Sequence, residues 1–272
     1  ITAKDFDNND RMDLVMSCYS KDEFGEMRPF PIHYWDEMKS VSPLFENRFS
    51  SYKEYGSLTV DEMFTPTELN GAIVLEANYL STSYIRNNGD GTFEMIALPV
   101  ETQFAPVNGI VTADINADGN LDVVLVGNDY GNEINMGQYD ALTGIVLLGN
   151  GQGEFTVRSS TRSGFFVGGD AKALVTMIGS KGDLMLLASQ NRGPLKVFKT
   201  KEKTGRVLRA QPLDCSVVLT YEDGRNEKVE LPYGSGFLSQ SARAIIIHPS
   251  VIKYTVTDVK GNTRTIDLSV VK

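Results

Sequence analysis

An acidic loop flanked by apolar runs occurs twice in this chain, and it restricts the possible folds more than any other feature. The first copy is Ala3-Lys4-Asp5-Phe6-Asp7-Asn8-Asn9-Asp10-Arg11-Met12-Asp13-Leu14-Val15. The second is Thr112-Ala113-Asp114-Ile115-Asn116-Ala117-Asp118-Gly119-Asn120-Leu121-Asp122-Val123-Val124. Each opens a larger unit: acidic turn, apolar run, gap, second apolar run, then a Gly/Asn turn ending in an aromatic. The first unit closes at Asn87-Asn88-Gly89-Asp90-Gly91-Thr92-Phe93 and the second at Gly149-Asn150-Gly151-Gln152-Gly153-Glu154-Phe155. A third unit, residues 170–198, keeps the apolar runs and lacks the acidic turn.

The apolar runs are short, rich in Val, Ile, Leu and Tyr, and bounded by Gly, Asn and Asp, which predicts antiparallel strands. Asn88-Gly89-Asp90-Gly91 and Gly149-Asn150-Gly151 offer the positive-φ residues of tight hairpins. A unit of this size cannot bury both faces alone, so it stacks on copies of itself. Radial stacking of small antiparallel sheets gives a β-propeller, which takes about 4–8 blades. The expectation is therefore an all-β fold, a partial β-propeller over residues 1–200, completed by blades outside this chain.

Residues 33–71 change character, with aromatic and charged residues at roughly helical spacing and few glycines. Thr59 with Glu62, and Thr65-Pro66 with Glu68, carry helix-start signals, and Asn70-Gly71 a stop. This predicts a helical insertion between two strands of one blade, expected to be decoration, the alternative being a lid or partner-binding element. The Lys-rich stretch 199–209 reads as a linker. Beyond it, runs at 216–221, 228–231, 244–247 and 254–259 alternate with turns at Glu222-Asp223-Gly224-Arg225 and Lys260-Gly261-Asn262. They predict a small β-sandwich or barrel over residues 205–272.

The acidic loops are candidate calcium sites. In the second, Asp114, Asn116, Asp118 and Asp122 place side-chain oxygens at loop positions 1, 3, 5 and 9. Calcium takes about six to eight hard oxygen ligands, and alternate residues of a tight loop aim them at one centre. Gly119 permits the bend, the Asn120 carbonyl adds a ligand, and Asp122 is placed to bind through both oxygens. Without a cation the carboxylates repel. The first loop has Asp5, Asp7, Asn9 and Asp13 at the same positions, with Asp10 where the glycine would be. Asp10 then needs a strained or left-handed backbone, which Asp tolerates better than most residues. In the third unit Gly179-Ser180-Lys181-Gly182-Asp183 holds no carboxylate cluster. Lys181 is expected to replace the ion's charge there, with no metal.

A formal net charge of −9 suits a protein that holds cations and argues against nucleic acid as a partner. No apolar stretch approaches the ~20 residues of a membrane span. Residues 1–10 are polar and acidic, unlike a signal peptide, and a chain opening inside a motif is expected to be a piece of something longer. Two cysteines, Cys18 and Cys215, are expected as buried thiols. Only two histidines, His33 and His248, are present, and both are expected to be packed or surface residues, which leaves no nucleophile–histidine device. No catalytic group stands out beyond the loop carboxylates, so a non-enzyme is expected. The alternative is a polysaccharide-acting hydrolase or lyase using propeller-face carboxylates.

The acidic loops followed by Asn-Asn-Gly-Asp-Gly-Thr-Phe resemble the FG-GAP/VCBS repeats of integrin-like propellers. In that family Asp-x-Asx-x-Asp-Gly-x-x-Asp binds Ca2+. The resemblance implies Asp114, Asn116, Asp118, Asn120 and Asp122 as ligands, and Asp5, Asp7, Asn9, Arg11 (through its backbone) and Asp13, with Asp10 departing from the glycine. Gly234-Ser235-Gly236-Phe237-Leu238-Ser239-Gln240-Ser241 looks like the ASPIC/UnbV segment that follows such repeats. The whole arrangement is similar to VCBS-repeat proteins of Bacteroidetes. It implies a calcium-stabilised binding or adhesion module whose partner is a glycan or a cell-surface or envelope protein. Sites of this kind suit millimolar calcium, hence an extracellular, periplasmic or outer-membrane-surface location. Some proteins with this tail are labelled RNA-binding; the acidic charge and the lack of a basic, aromatic-lined groove in the sequence do not support that here.

Overall fold

The structure, a computed structural model, describes residues 1–132, 134, 137–201, 205–237 and 239–269. Leu238 of the Gly/Ser-rich tail segment and residues 202–204 of the Lys-rich stretch lie outside the described residues. The protein is mostly β, in many small antiparallel sheets, and no barrel closes among the described residues. Contacts divide it into two compact units, Ile1–Leu80 and Ser81–Lys272.

In the first unit, strands β1 (Thr2–Lys4) and β2 (Asp13–Val15) flank the first acidic loop and pair antiparallel, Lys4 opposite Asp13. β3 (Ser17–Lys21) and β4 (Met27–Pro31) form a separate hairpin. Four short helices follow: α1 (Trp35–Val41), α2 (Tyr52–Ser57), α3 (Val60–Met63) and α4 (Pro66–Leu69). The chain then returns as β5 (Ile73–Val74), which pairs with β1. Thr59 and Thr65 start helices as their spacing implies. The Glu62 carboxylate accepts the Thr59 N–H at 2.9 Å, and Glu68 accepts that of Thr65 at 2.7 Å.

The helical segment is not decoration. It supplies most of the unit's core: Met38, Phe45, Phe49, Tyr55, Val60, Met63 and Phe64 bury themselves around Phe6 and Val15. Two three-residue strands cannot enclose a core, so the first unit depends on the helices for its apolar burial. Together with the β3–β4 hairpin, the segment is inserted between β2 and β5 of one three-stranded sheet, although β4, the strand directly before it, belongs to another.

The second unit opens with the hairpin β6 (Ser83–Asn87) and β7 (Phe93–Ala97), turned by Gly89 (φ +81°) and Gly91 (φ +86°). This hairpin, expected to close the first repeat, shares no sheet with β1 and β2. β8 (Val107–Ala113), β9 (Asp122–Gly127), β10 (Ile145–Gly149) and β11 (Phe155–Arg158) make a four-stranded meander with the second acidic loop between β8 and β9. Both faces of this sheet are covered. One face packs through Val111, Val124 and Val146 and the other through Leu125, Ile145 and Leu147. That is why β9 reads as a continuous apolar run instead of alternating.

A single helical turn, α5 (Ser160–Ser163), leads to a three-stranded meander: β12 (Ala171–Ile178), β13 (Leu184–Gln190) and β14 (Lys196–Lys199). Leu174, Leu186 and Ala188 from this sheet share a core with Val111 and Val126 of the four-stranded one. β15 (Arg206–Arg209) ends the stretch expected to be a linker and pairs with β18 (Ala244–Ile247). β16 (Asp214–Tyr221), β17 (Asn226–Glu230), β19 (Val251–Asp258) and β20 (Thr263–Asp267) form a four-stranded sheet in the order β17-β16-β19-β20. Ile247 of the β15–β18 pair and Val217, Leu219 and Val256 of that sheet enclose a common core. No described helix is long and apolar enough to cross a membrane.

Candidate metal centre

The two acidic loops have the same backbone. Both enter the left-handed region at loop positions 4 and 6, at Asn8 (φ +58°) and Asp10 (φ +63°), and at Ala117 (φ +63°) and Gly119 (φ +84°). Four of their hydrogen bonds match position for position. Asp5 Oδ1 and Oδ2 accept the N–H groups of Asn9 and Asp10 at 3.0 and 2.9 Å. Asp114 Oδ1 and Oδ2 accept those of Asp118 and Gly119 at 3.2 and 3.0 Å. The position-5 side chain accepts from position 7 in both, Asn9 from Arg11 and Asp118 from Asn120. The closing aspartate accepts from position 2 in both, Asp13 from Phe6 and Asp122 from Ile115, each at 2.9 Å. Asp, Asn and Gly make such turns because their side chains bond nearby backbone and they tolerate positive φ.

The loops differ in what they bring together. In the first, one carboxylate oxygen from each of Asp5, Asp7 and Asp13 lies within 4.8 Å of the others, a cluster that could hold a metal ion. Asp13 is almost fully buried, and its pKa is pushed up by that burial and by the charges of Asp7 and Asp5, against the Phe6 hydrogen bond. Asp7 Oδ2 accepts the hydroxyl of Ser42 at 2.6 Å, while Asp7 Oδ1 is buried without a hydrogen-bond partner. An orphaned buried carboxylate oxygen beside two further carboxylates fits a cation as its partner. Asn9 and the Arg11 backbone flank the cluster and hold the turn.

In the second loop, among the described residues, Asp114, Asp118 and Asp122 do not form such a cluster. Asn116 Nδ2 donates to Asp118 Oδ2 at 2.8 Å, so these two side chains satisfy each other. Asp122 is fully buried, and its two oxygens accept the N–H groups of Ile115 and Gly149, at 2.9 and 3.0 Å. Burial raises its pKa first, those two hydrogen bonds lower it, and Asp118 and Asp114 add to the rise. Asp122 therefore fastens the loop to the end of β10.

The third turn keeps the closing aspartate. Gly179 N–H bonds to the Asp183 carbonyl at the start of β13, as Ala113 pairs with Asp122 at the start of β9. Asp183 is buried, and Lys199 Nζ lies 3.2 Å from its Oδ2. Burial would raise its pKa, but the Lys199 hydrogen bond, with the charges of Lys199 and Lys181, brings it below the usual carboxylate range. The direct partner is thus Lys199 at the end of β14, not the neighbouring Lys181.

Sequence reasoning missed Ser42 and Lys199, which lie 35 and 16 residues from the aspartates they meet, and no local pattern links them. His33 lies 3.5 Å from Glu37, and His248 hydrogen-bonds Ser250 at 2.6 Å. Cys18 is exposed, not buried, because its two-stranded hairpin has an open face, and Cys215 is half-buried with its thiol toward the Thr257 carbonyl. No protein-family model matches the chain, and no curated protein matches it.

Proposed function

We propose that this protein is a calcium-stabilised binding module of the cell envelope or extracellular space, built on FG-GAP/VCBS propeller blades, that recognises a glycan or a protein. The observation that carries the reading is the first loop: three converging carboxylates, one with a buried oxygen that nothing satisfies. Hard carboxylate and backbone oxygens in a tight loop are calcium's chemistry, and a cation there relieves both the repulsion and the orphaned oxygen. The four-stranded and three-stranded meanders sharing a core support a propeller arrangement of the second unit. Thermal unfolding with calcium and with chelator tests the proposal. Calcium at about 100 times its Kd stabilises by roughly 2.7 kcal/mol, so chelation lowers the melting temperature by several degrees. A melting curve indifferent to chelator rules the reading out.

One feature favours the enzyme alternative. A cleft of about 390 Å³ in the second unit gathers Asp114, Glu227, Glu230 and His248, with the Tyr221 hydroxyl donating to Glu227 at 2.5 Å. Turnover of a polysaccharide that is abolished by Glu227→Gln would replace the binding reading.

A further inference from the structure

We infer that a second cleft of this unit, about 480 Å³ in volume, is a recognition site for an acidic saccharide. Its charged lining comes from four basic residues, Arg158, Arg162, Lys199 and Lys201, and among the described residues no carboxylate lines it. In a chain of net charge −9 this is a marked local reversal of sign. Lys199 is partly neutralised by Asp183 at 3.2 Å. Arg158 and Arg162 are exposed, and neither makes an ion pair with a described residue. Guanidinium groups in this position match carboxylate or sulfate oxygens through paired hydrogen bonds.

The rest of the lining fits a sugar. Hydroxyls of Thr161, Ser163 and Thr200 stand among the cations, already hydrogen-bonded to the Ser159 hydroxyl and to the Ser159 and Leu184 carbonyls. Its apolar side is the half-buried ring of Phe198, packed on the buried Phe165 with centroids 4.5 Å apart, with Val146 and Leu186 buried beneath. A pyranose ring carrying a carboxylate presents this combination of apolar face, hydroxyls and negative charge. Phe198 thus offers one partly exposed apolar patch, enough for one sugar face and too little to stack successive bases, which disfavours an oligonucleotide. The volume accommodates a ligand of one or two sugar rings. The residues come from the end of β11, from α5 and from the end of β14, which explains why no basic groove is visible in the sequence.

The choice of a saccharide rests on the binding-module reading, and the experiment separates the two. Isothermal titration calorimetry in calcium buffer compares a diglucuronate disaccharide, the matching glucose disaccharide, inorganic sulfate and a short RNA oligonucleotide. Expected is one-to-one binding of diglucuronate, at least about tenfold tighter than the other three, with about tenfold or greater loss in the double variant Arg158→Gln, Arg162→Gln. Both side chains are exposed, so that variant keeps its fold, checked by an unchanged melting temperature. No diglucuronate binding, equal binding of any comparison ligand, or undiminished binding by the double variant overturns the inference. If diglucuronate fails to bind while calcium still raises the melting temperature, this site fails and the calcium reading stands. If diglucuronate binds through the arginines while calcium has no effect, the reverse holds.

Discussion

Lys199 Nζ lies 3.2 Å from the buried Oδ2 of Asp183, at the end of β14, as Gly149 at the end of β10 meets Asp122 through its backbone N–H at 3.0 Å. The same buried carboxylate is thus held by an ammonium in one sheet and by backbone N–H groups in another. Lys199→Met removes the direct partner of Asp183 and leaves only the charge of Lys181. It should lower stability, equally with calcium and with chelator. Asp183→Ala should leave the calcium response of the melting temperature intact. Thermal melts of both variants, with and without chelator, check this.

The two acidic loops should respond unequally to calcium. Asp7→Asn and Asp5→Asn remove charge from the converged cluster and should abolish most of the calcium-dependent rise in melting temperature. Asp118→Ala should remove less, because Asp118 is already engaged with Asn116. Equal losses at both loops would show that the second reorganises to bind as strongly as the first.

The helical segment holds the first loop in place. Phe45 is fully buried, and its carbonyl accepts the Trp35 indole N–H at 2.7 Å. Phe45→Ala should cost about 3–5 kcal/mol by opening a cavity in the core that also contains Phe6 and Val15. Ser42→Ala deletes the hydroxyl bound to Asp7, so it should weaken calcium affinity by more than it lowers chelated stability. Calcium titrations paired with melts separate the two effects.

Backbone strain at position 6 of the first loop gives a stabilising change. Asp10 holds φ at +63°, where Gly119 stands in the second loop. Asp10→Gly should raise stability by up to about 1 kcal/mol and preserve the calcium response, since the N–H that bonds Asp5 remains. Chemical denaturation measures the change.

Acidification should act in opposite directions on two sets of aspartates. Asp214 is buried and paired with Arg264 at 2.5 Å, and that hydrogen bond first of all holds its pKa below 3.8. Its folded-state pKa is depressed, so its stabilisation is full above 3.8 and is lost as pH falls through the lower folded value. Asp13 and Asp122 have raised pKa values, so their charged forms cost stability above those values. The cost fades as pH falls toward 3.8, which favours the chelated protein and weakens cation binding. The gap between the melting temperatures with and without calcium should therefore narrow on acidification from pH 7, before the Asp214–Arg264 contribution is lost.

The hairpins, the acidic loops and the helix caps were legible in the sequence because each is local. Asn88-Gly89-Asp90-Gly91, Asp114 through Asp122, and Thr65 with Glu68 act within a few residues, through positive φ and side-chain-to-backbone hydrogen bonds. The left-handed backbone at Asp10 followed from its place in the loop. The helical segment was legible as helix but not as core, since what it buries is decided by the small sheet of β1, β2 and β5 beside it.

The sequence by itself determined the short strands, their turns and the two loop backbones, because these are settled by dihedral preferences and contacts a few bonds apart. Only the tertiary structure decided which carboxylates converge and what balances them. Ser42 at Asp7, Lys199 at Asp183 and Gly149 at Asp122 are meetings across 35, 16 and 27 residues. The basic cleft of Arg158, Arg162, Lys199 and Lys201 is likewise assembled from separate elements. The energy of a charge depends on its burial and its neighbours in space, and neither is fixed until the chain has packed.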